Sequence, residues 1–327
     1  MERAAQITQI GDPSVIGWID VALPAPGPGE VRMRNNAVGL NFIDVYHRSG
    51  LYPVPLPSGL GVEAAGTIEA VGERVVDLQV GDRVGCFGPA LGAYSTARNV
   101  PAASLFLIPD DISDEIAAAG LLKGCTTEFL VERCAKVQPK WDVLVHAAAG
   151  GVGLMLVQWL THIGARVIGT VSTEEKAELA RAAGADHVIL YGKEDVAMQV
   201  RELTGGKGTE ATFDGVGKAT WQISLDSTAR RGMIVNFGNA SGPVNGISLG
   251  VFAQKGSLFC TRPTLFDYYV SPAERSAGAE YVFDMFRQGI IKVNIGQRYV
   301  LEDAALAHSD IESRKTTGSS LLLPQIR

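Results

Sequence analysis

Apolar residues fall in short unbroken runs through the middle of the chain and in runs broken by glycine and proline before it, and the two patterns predict different architectures. Residues 143–145 (Val-Leu-Val) form an apolar run of the kind found in strands buried on both faces. Over 152–163, Leu154, Val157, Leu160 and Ile163 recur at helical spacing. A second strand is expected at 166–171, a helix from about 173 to 183, a break at Gly184 and a third strand at 186–190. This β-α-β-α-β order predicts a parallel sheet. A helix near 197–204, the Gly205-Gly206 break and strands at 210–213 and 232–237 extend it.

Residues 1 to about 118 carry short strands at 29–34, 65–72 and 80–85, separated by glycine and proline, the pattern of a compact β-rich domain. Pro24, Pro26 and Pro28 interrupt pairing there and read as a turn. Beyond about Thr261 come an amphipathic helix at 273–288, a segment around Lys292-Val293, a helix at 304–313 and an apolar strand at 320–323. The simplest assembly returns this tail to the first domain. The expected division is therefore 1–120 with 262–327 as one domain and 121–261 as a second, inserted one.

With 327 residues the chain suits two domains. Its 29 basic and 35 acidic residues give a net charge of −6, without a basic run, which argues against a nucleic-acid partner. The first residues, Met1-Glu2-Arg3-Ala4-Ala5-Gln6, lack the apolar core of a signal peptide, and no apolar segment is long enough to span a bilayer. A cytoplasmic protein without membrane contact is expected. Cys86, Cys125, Cys134 and Cys260 show no metal-ligand spacing, and the five histidines no paired helical spacing.

Chemistry concentrates in the turn after the first parallel strand, Ala147-Ala148-Ala149-Gly150-Gly151-Val152-Gly153. Gly150 and Gly151 let backbone N–H groups approach phosphate oxygens, Gly153 allows close packing of helix on strand, and the helix N-terminus adds partial positive charge. A dinucleotide pyrophosphate fits such a turn. Ala148 stands where the strict G-x-G-x-x-G pattern has its first glycine. About twenty residues on, where an NAD enzyme usually places an acid, Val171 is followed by Ser172 and Thr173. The nearest acids, Glu174 and Glu175, have another explanation, because Ser172-x-x-Glu175 reads as a capping box. Lys176 could reach a 2′-phosphate from that turn or serve as a solvated helix charge. His146, within the apolar strand, reads as a core histidine, and Cys125 has no partner set for covalent catalysis.

Taken together, Asn41-Phe42-Ile43-Asp44-Val45-Tyr46, Arg48-Ser49-Gly50-Leu51-Tyr52-Pro53, Gly59-Leu60-Gly61-Val62-Glu63-Ala64-Ala65-Gly66, Val80-Gly81-Asp82-Arg83-Val84, the 147–153 loop and Asn236-Phe237-Gly238-Asn239-Ala240-Ser241-Gly242 span nearly the whole chain. In these motifs the chain resembles the zinc-independent quinone oxidoreductase branch, related to ζ-crystallin, of the medium-chain dehydrogenase/reductase superfamily. The resemblance implies a GroES-like catalytic domain interrupted by a doubly wound Rossmann sheet, an α/β protein with its cofactor in the cleft between the two. Zinc-dependent members carry a histidine where this chain has Val62, and a cysteine ligand is replaced by Lys123. Valine cannot ligate zinc, so no catalytic metal is expected. Without a Lewis acid the acceptor must itself be electrophilic, as a quinone is.

By the same resemblance, Lys176, Tyr191 and Arg314 match positions near the adenosine phosphate, with Ser172 beside them, so NADPH is the expected cofactor. Gly150, Gly151, Val152 and Gly153 take the pyrophosphate. Lys123, Thr127 and Asn239 are expected near the nicotinamide. Asn41, Asp44, Tyr46 and Tyr52 are expected on the catalytic-domain wall, where the tyrosines could stack on a flat acceptor. The activity so implied is NADPH-dependent quinone reduction, with reduction of an α,β-unsaturated carbonyl as the alternative and a non-enzymatic dinucleotide-binding or structural protein as a third reading. A homodimer is expected, joined near residues 244–261.

Overall fold

The computed structural model describes residues 1–88 and 90–324. In chain order the elements are β1 (Glu2–Ile7), β2 (Gly17–Val21), β3 (Glu30–Leu40), α1 (Phe42–Ser49), β4 (Ser58–Gly59), β5 (Glu63–Val71), β6 (Arg83–Phe87), β7 (Ala97–Pro101), β8 (Leu105–Leu107) and α2 (Asp114–Glu128). There follow β9 (Asp142–Val145), α3 (Gly151–Ile163), β10 (Arg166–Val171), α4 (Glu174–Ala182), β11 (His187–Leu190), α5 (Val196–Leu203), β12 (Thr209–Asp214), α6 (Trp221–Ser227), β13 (Thr228–Asn236), α7 (Gly250–Gln254) and β14 (Phe259–Thr261). The chain closes with α8 (Leu265–Tyr268), α9 (Pro272–Arg287), β15 (Ile295–Val300), α10 (Ala304–Glu312) and β16 (Ser319–Leu323).

One compact unit comprises Met1–Leu122, Ala279–Arg287 and Val293–Arg327. Its larger sheet runs β15-β16-β3-β5-β6-β8, with β7 also on β3, and a small sheet runs β2-β1-β4. The tail does return here: β16 lies antiparallel on β3, with Ser320 opposite Leu40 and Leu322 opposite Val38. Leu301, Ala304, Ala307 and Leu322 join Val31, Met33, Leu40 and Ile68 in one buried cluster. The strand expected at 80–85 begins only at Arg83. Gly81 has φ +95°, and the Asp82 carboxylate accepts from the Gln79 N–H at 2.8 Å, so this stretch closes a turn.

The other unit comprises Lys123–Gly278 and Gln288–Lys292. Its parallel sheet has the order β11-β10-β9-β12-β13-β14, the doubly wound arrangement, in which the order reverses between β9 and β12. Strand β10 matches its expected bounds, because Val167, Ile168 and Val171 form a run buried on both faces. The tail was expected to leave this unit at 262, yet the segment up to Gly278 stays with it. The Tyr269 hydroxyl donates to the Glu128 carboxylate at 2.8 Å, and Arg133 both pairs with Glu128 and lies over the Tyr269 ring. A Cβ at Gly278 would come within 2.2 Å of the Tyr269 hydroxyl oxygen. This buried polar cluster, assembled from distant segments, had no local signal.

His308 on α10 is fully buried in the first unit, with Nε2 3.0 Å from the Tyr94 hydroxyl. Burial, with the nearby positive charge of Arg48, pushes its pKa down to about 3. The unfolded chain therefore binds a proton that the folded chain rejects, and stability falls as pH drops below about 6.5 towards 3. At pH 5 the loss from this one group should be about 2 kcal/mol. Urea unfolding midpoints measured from pH 8 to 5 should show a slope that includes this loss, and His308→Asn should remove that part of it.

Candidate functional site

The turn after β9 is shaped by close backbone approach. His146 N–H donates to the Phe213 carbonyl at 3.0 Å, which continues the ladder to β12 one residue past the strand. Ala147 then takes φ +52°, a left-handed conformation that costs a non-glycine residue about 1 kcal/mol. This reversal turns the Ala147 carbonyl inward, where it accepts from Gly150 N–H at 2.9 Å. A Cβ at Gly153 would come within 2.2 Å of that carbonyl oxygen, so only glycine lets α3 sit this close. No side chain caps α3 at Gly150. Its first N–H groups and the helix dipole thus form a cradle that suits a pyrophosphate.

Ala148 departs from the strict glycine pattern, and β10 compensates. Ala148 N–H donates to the Thr170 carbonyl at 3.0 Å, which brings its methyl group against β10. The facing residue there is Gly169, where an added Cβ would lie 2.8 Å from the Ala148 Cβ. The glycine that the turn lacks is supplied by the neighbouring strand.

At the end of β10, Thr173 caps α4, its hydroxyl accepting from Lys176 N–H at 3.4 Å. The cap expected at Ser172 thus falls one residue later, because Thr173 is the last residue with extended dihedrals. Glu174 is paired with Arg181 at 2.6 Å, and the Thr173 hydroxyl holds the Glu175 carboxyl below its usual range. Tyr191 N–H donates to the Val171 carbonyl at 3.2 Å, so Tyr191 and Ser172 stand side by side, with Lys176 half-buried in the first turn of α4. Arg314 belongs to the other unit, exposed just after α10.

Asn239 follows β13, and its side chain links the Gly238 carbonyl (3.1 Å) to the Arg262 guanidinium (3.2 Å) in the orientation that satisfies both amide groups. Arg262 was not singled out from sequence, because it lies beyond β14 with no motif around it. Thr127, expected near the nicotinamide, is fully buried; its hydroxyl donates to the Lys123 carbonyl one turn back at 2.9 Å, and the oxygen keeps its capacity to accept.

In the first unit, Asn41 is the N-cap of α1 and donates to Glu63 Oε2 at 2.9 Å. Asp44 is 0% exposed; its Oδ2 accepts from the Asn41 N–H (2.9 Å) and from the Tyr94 hydroxyl (3.0 Å). Through Oδ2, Asp44 fixes the backbone of Asn41 at the start of α1. Glu63 Oε1 accepts from Leu122 N–H at 2.7 Å. Tyr46 and Tyr52 meet edge to face, with ring centroids 5.1 Å apart, and Tyr52 N–H donates to the Tyr46 carbonyl at 3.0 Å. Val62 is buried and offers no donor atom. Among the described residues no group of three or more His, Cys, Asp or Glu is placed to hold a metal ion. Tyr94, the partner of Asp44, and His308, the partner of Tyr94, were not legible from sequence, being 50 and 264 residues along the chain from Asp44.

The β-rich unit and the doubly wound unit with its uncapped glycine turn define a protein of the medium-chain dehydrogenase/reductase class. Residues 27–110 match the alcohol dehydrogenase GroES-like domain family, and residues 151–271 match the zinc-binding dehydrogenase family. A quinone oxidoreductase of Pseudomonas aeruginosa is 50% identical over 99% of this chain and 100% of its own length. The structure of an Escherichia coli quinone oxidoreductase complexed with NADPH superposes with a TM-score of 0.96 at 45% identity, covering 98% of this chain and 100% of that one. A 2-haloacrylate reductase of a Burkholderia species is 46% identical over 99% of this chain and 100% of its length. The chain belongs to the quinone oxidoreductase family within that class.

The pairing of Ala148 with Gly169 can be tested by a double-mutant cycle. Gly169→Ala should destabilise the chain by about 1–3 kcal/mol through overpacking. Adding Ala148→Gly should recover most of that loss in urea unfolding, a coupling expected only for residues in contact.

Proposed function

We propose that this protein is an NADPH-dependent quinone oxidoreductase that needs no catalytic metal. The observation that carries the reading is the match to a quinone oxidoreductase at 50% identity over 99% of this chain and 100% of the relative. The local chemistry is consistent with it. Gly150, Gly151, Val152 and Gly153 hold the pyrophosphate through backbone N–H groups. Lys176, flanked by Ser172 and Tyr191, takes the 2′-phosphate, since no acid stands free at the end of β10 to prefer the bare ribose. Asn239, Lys123 and Thr127 serve the nicotinamide end. Bound NADPH supplies the hydride.

The protein's own work is then orientation. A quinone spreads incoming negative charge over its π-system, so the hydrogen bonds that a polar wall provides suffice where an unactivated carbonyl would require a Lewis acid. Asn41, locked by Glu63 and Asp44, offers a fixed amide, and the Tyr46 and Tyr52 pair offers aromatic surface for a flat acceptor. A second reading, reduction of an α,β-unsaturated carbonyl, is favoured by the resemblance to a 2-haloacrylate reductase. It needs the same cofactor and the same absence of metal.

The described residues include no helix long and apolar enough to cross a membrane, and the cysteines are free thiols, which supports action in the cytoplasm. We further propose a homodimer through β14. This edge strand exposes Phe259 at 60%, and Leu249 and Ile247 nearby are also exposed, an apolar strip suited to a second copy. Sedimentation should give twice the chain mass, and Phe259→Lys should shift it towards the monomer.

Oxidation of NADPH with 1,4-benzoquinone, run beside NADH and a 2-enal on chelator-treated enzyme, tests the activity. Fast, NADPH-selective quinone turnover is expected, unaffected by the chelator. Turnover of the enal alone would select the second reading, and loss of activity on chelation would overturn the metal-free one. Lys176→Ala should raise KM for NADPH about tenfold and leave KM for NADH unchanged, the loss of one charge-assisted contact.

A further inference from the structure

His146 is a buried titratable group beside the glycine turn that the proposed function leaves unused. It follows Leu144 by two residues and so shares the sheet face on which Leu144, Ile168 and Val200 cluster. Along that level of the sheet, register brings Thr170 of β10, His146, Asp214 of β12 and Asn236 of β13 into one row. All four are buried. An acid/base role with Asp214 is excluded by the hydrogen bonds of that carboxylate, which accepts from Val216 N–H, Gly217 N–H, Thr220 Oγ1 and Ser224 Oγ. At 2% exposure the imidazole cannot meet a substrate either. Burial also lowers its proton affinity, with Asp214 opposing, so it acts as a neutral ring.

What remains is its one side-chain partner. His146 Nδ1 lies 3.0 Å from Thr170 Oγ1, while Nε2 has no hydrogen-bond partner. The carbonyl of the same Thr170 accepts from Ala148 N–H at 3.0 Å. Residues 146 and 148 therefore both grip Thr170, one through the side chain and one through the backbone. The residue between them is Ala147, whose left-handed φ of +52° aims its carbonyl at Gly150. Alanine avoids that conformation when left to itself. A clamp on both sides is what a strained link requires.

We propose that His146 is a positioning residue for NADPH: its imidazole, clasped to Thr170, holds Ala147 in the left-handed conformation that presents the Gly150–Gly153 amides to the pyrophosphate. Without the clasp, Ala147 relaxes to an ordinary dihedral and its carbonyl leaves Gly150. The turn then spends only part of its time competent to bind, and the apparent Kd rises by the inverse of that fraction. The inference rests on the NADPH reading above.

The test is NADPH affinity measured by fluorescence titration, alongside steady-state kinetics with benzoquinone. His146→Ala and the isosteric Thr170→Val should each raise Kd for NADPH about tenfold, the weight of one neutral hydrogen bond, with kcat at saturating NADPH and KM for quinone within about twofold of the parent. His146→Asn, whose amide can occupy the Nδ1 place, should restore affinity. So should Ala147→Gly added to His146→Ala, because glycine adopts φ +52° without a clamp. If His146→Ala does not fold, Thr170→Val and His146→Asn carry the same comparison. Parent-like affinity in Thr170→Val, or weak binding that neither His146→Asn nor Ala147→Gly repairs, overturns the proposal. A parent protein that binds no NADPH would instead overturn the functional reading.

Discussion

The nucleotide-binding unit depends on one constraint, the inward-turned carbonyl of Ala147. Strand β9 is a central strand at the point where the sheet order reverses, and the chain must leave it, reverse and start α3 within five residues. The Ala147 carbonyl is the pivot. It accepts from Gly150 and leaves no room for a side chain at Gly153. Close packing of α3 and exposure of its first N–H groups are two results of the same reversal. The clearance at Gly169 that admits the Ala148 methyl is a third. The phosphate affinity proposed for this turn therefore rests on backbone geometry, and the turn carries no charged side chain.

The first unit is organised by polar groups instead. His308, Tyr94, Asp44, Asn41, Glu63 and the Leu122 N–H form a chain of hydrogen bonds through its interior, each link 3.0 Å or shorter. Buried polar groups are costly when unpaired and directional when paired, so such a chain fixes Asn41 more tightly than apolar packing could. The Tyr94 hydroxyl donates to Asp44 and so accepts from His308 Nε2–H, which assigns the tautomer and leaves Nδ1 without a proton. The same arrangement makes the unit sensitive to acid.

Sequence alone determined the alternation of strands and helices, the parallel sheet, the return of the tail and the position of the glycine turn. Each is written in local patterning: apolar runs, helical spacing, and glycines where the backbone must come close. Tertiary structure alone decided which polar residues work for the fold and which face outward. Asp44 and Thr127 are legible by type and motif position, but the partners that hold them, the Tyr94 hydroxyl distant in sequence and the Lys123 carbonyl one helical turn away, are not. Thr173 displaced Ser172 as a cap through its dihedral angles, and residues 262–278 stayed with the second unit through Tyr269 and Glu128. Composition and spacing cannot report such pairings, because a hydrogen bond depends on separations of a few ångströms that only the folded chain sets.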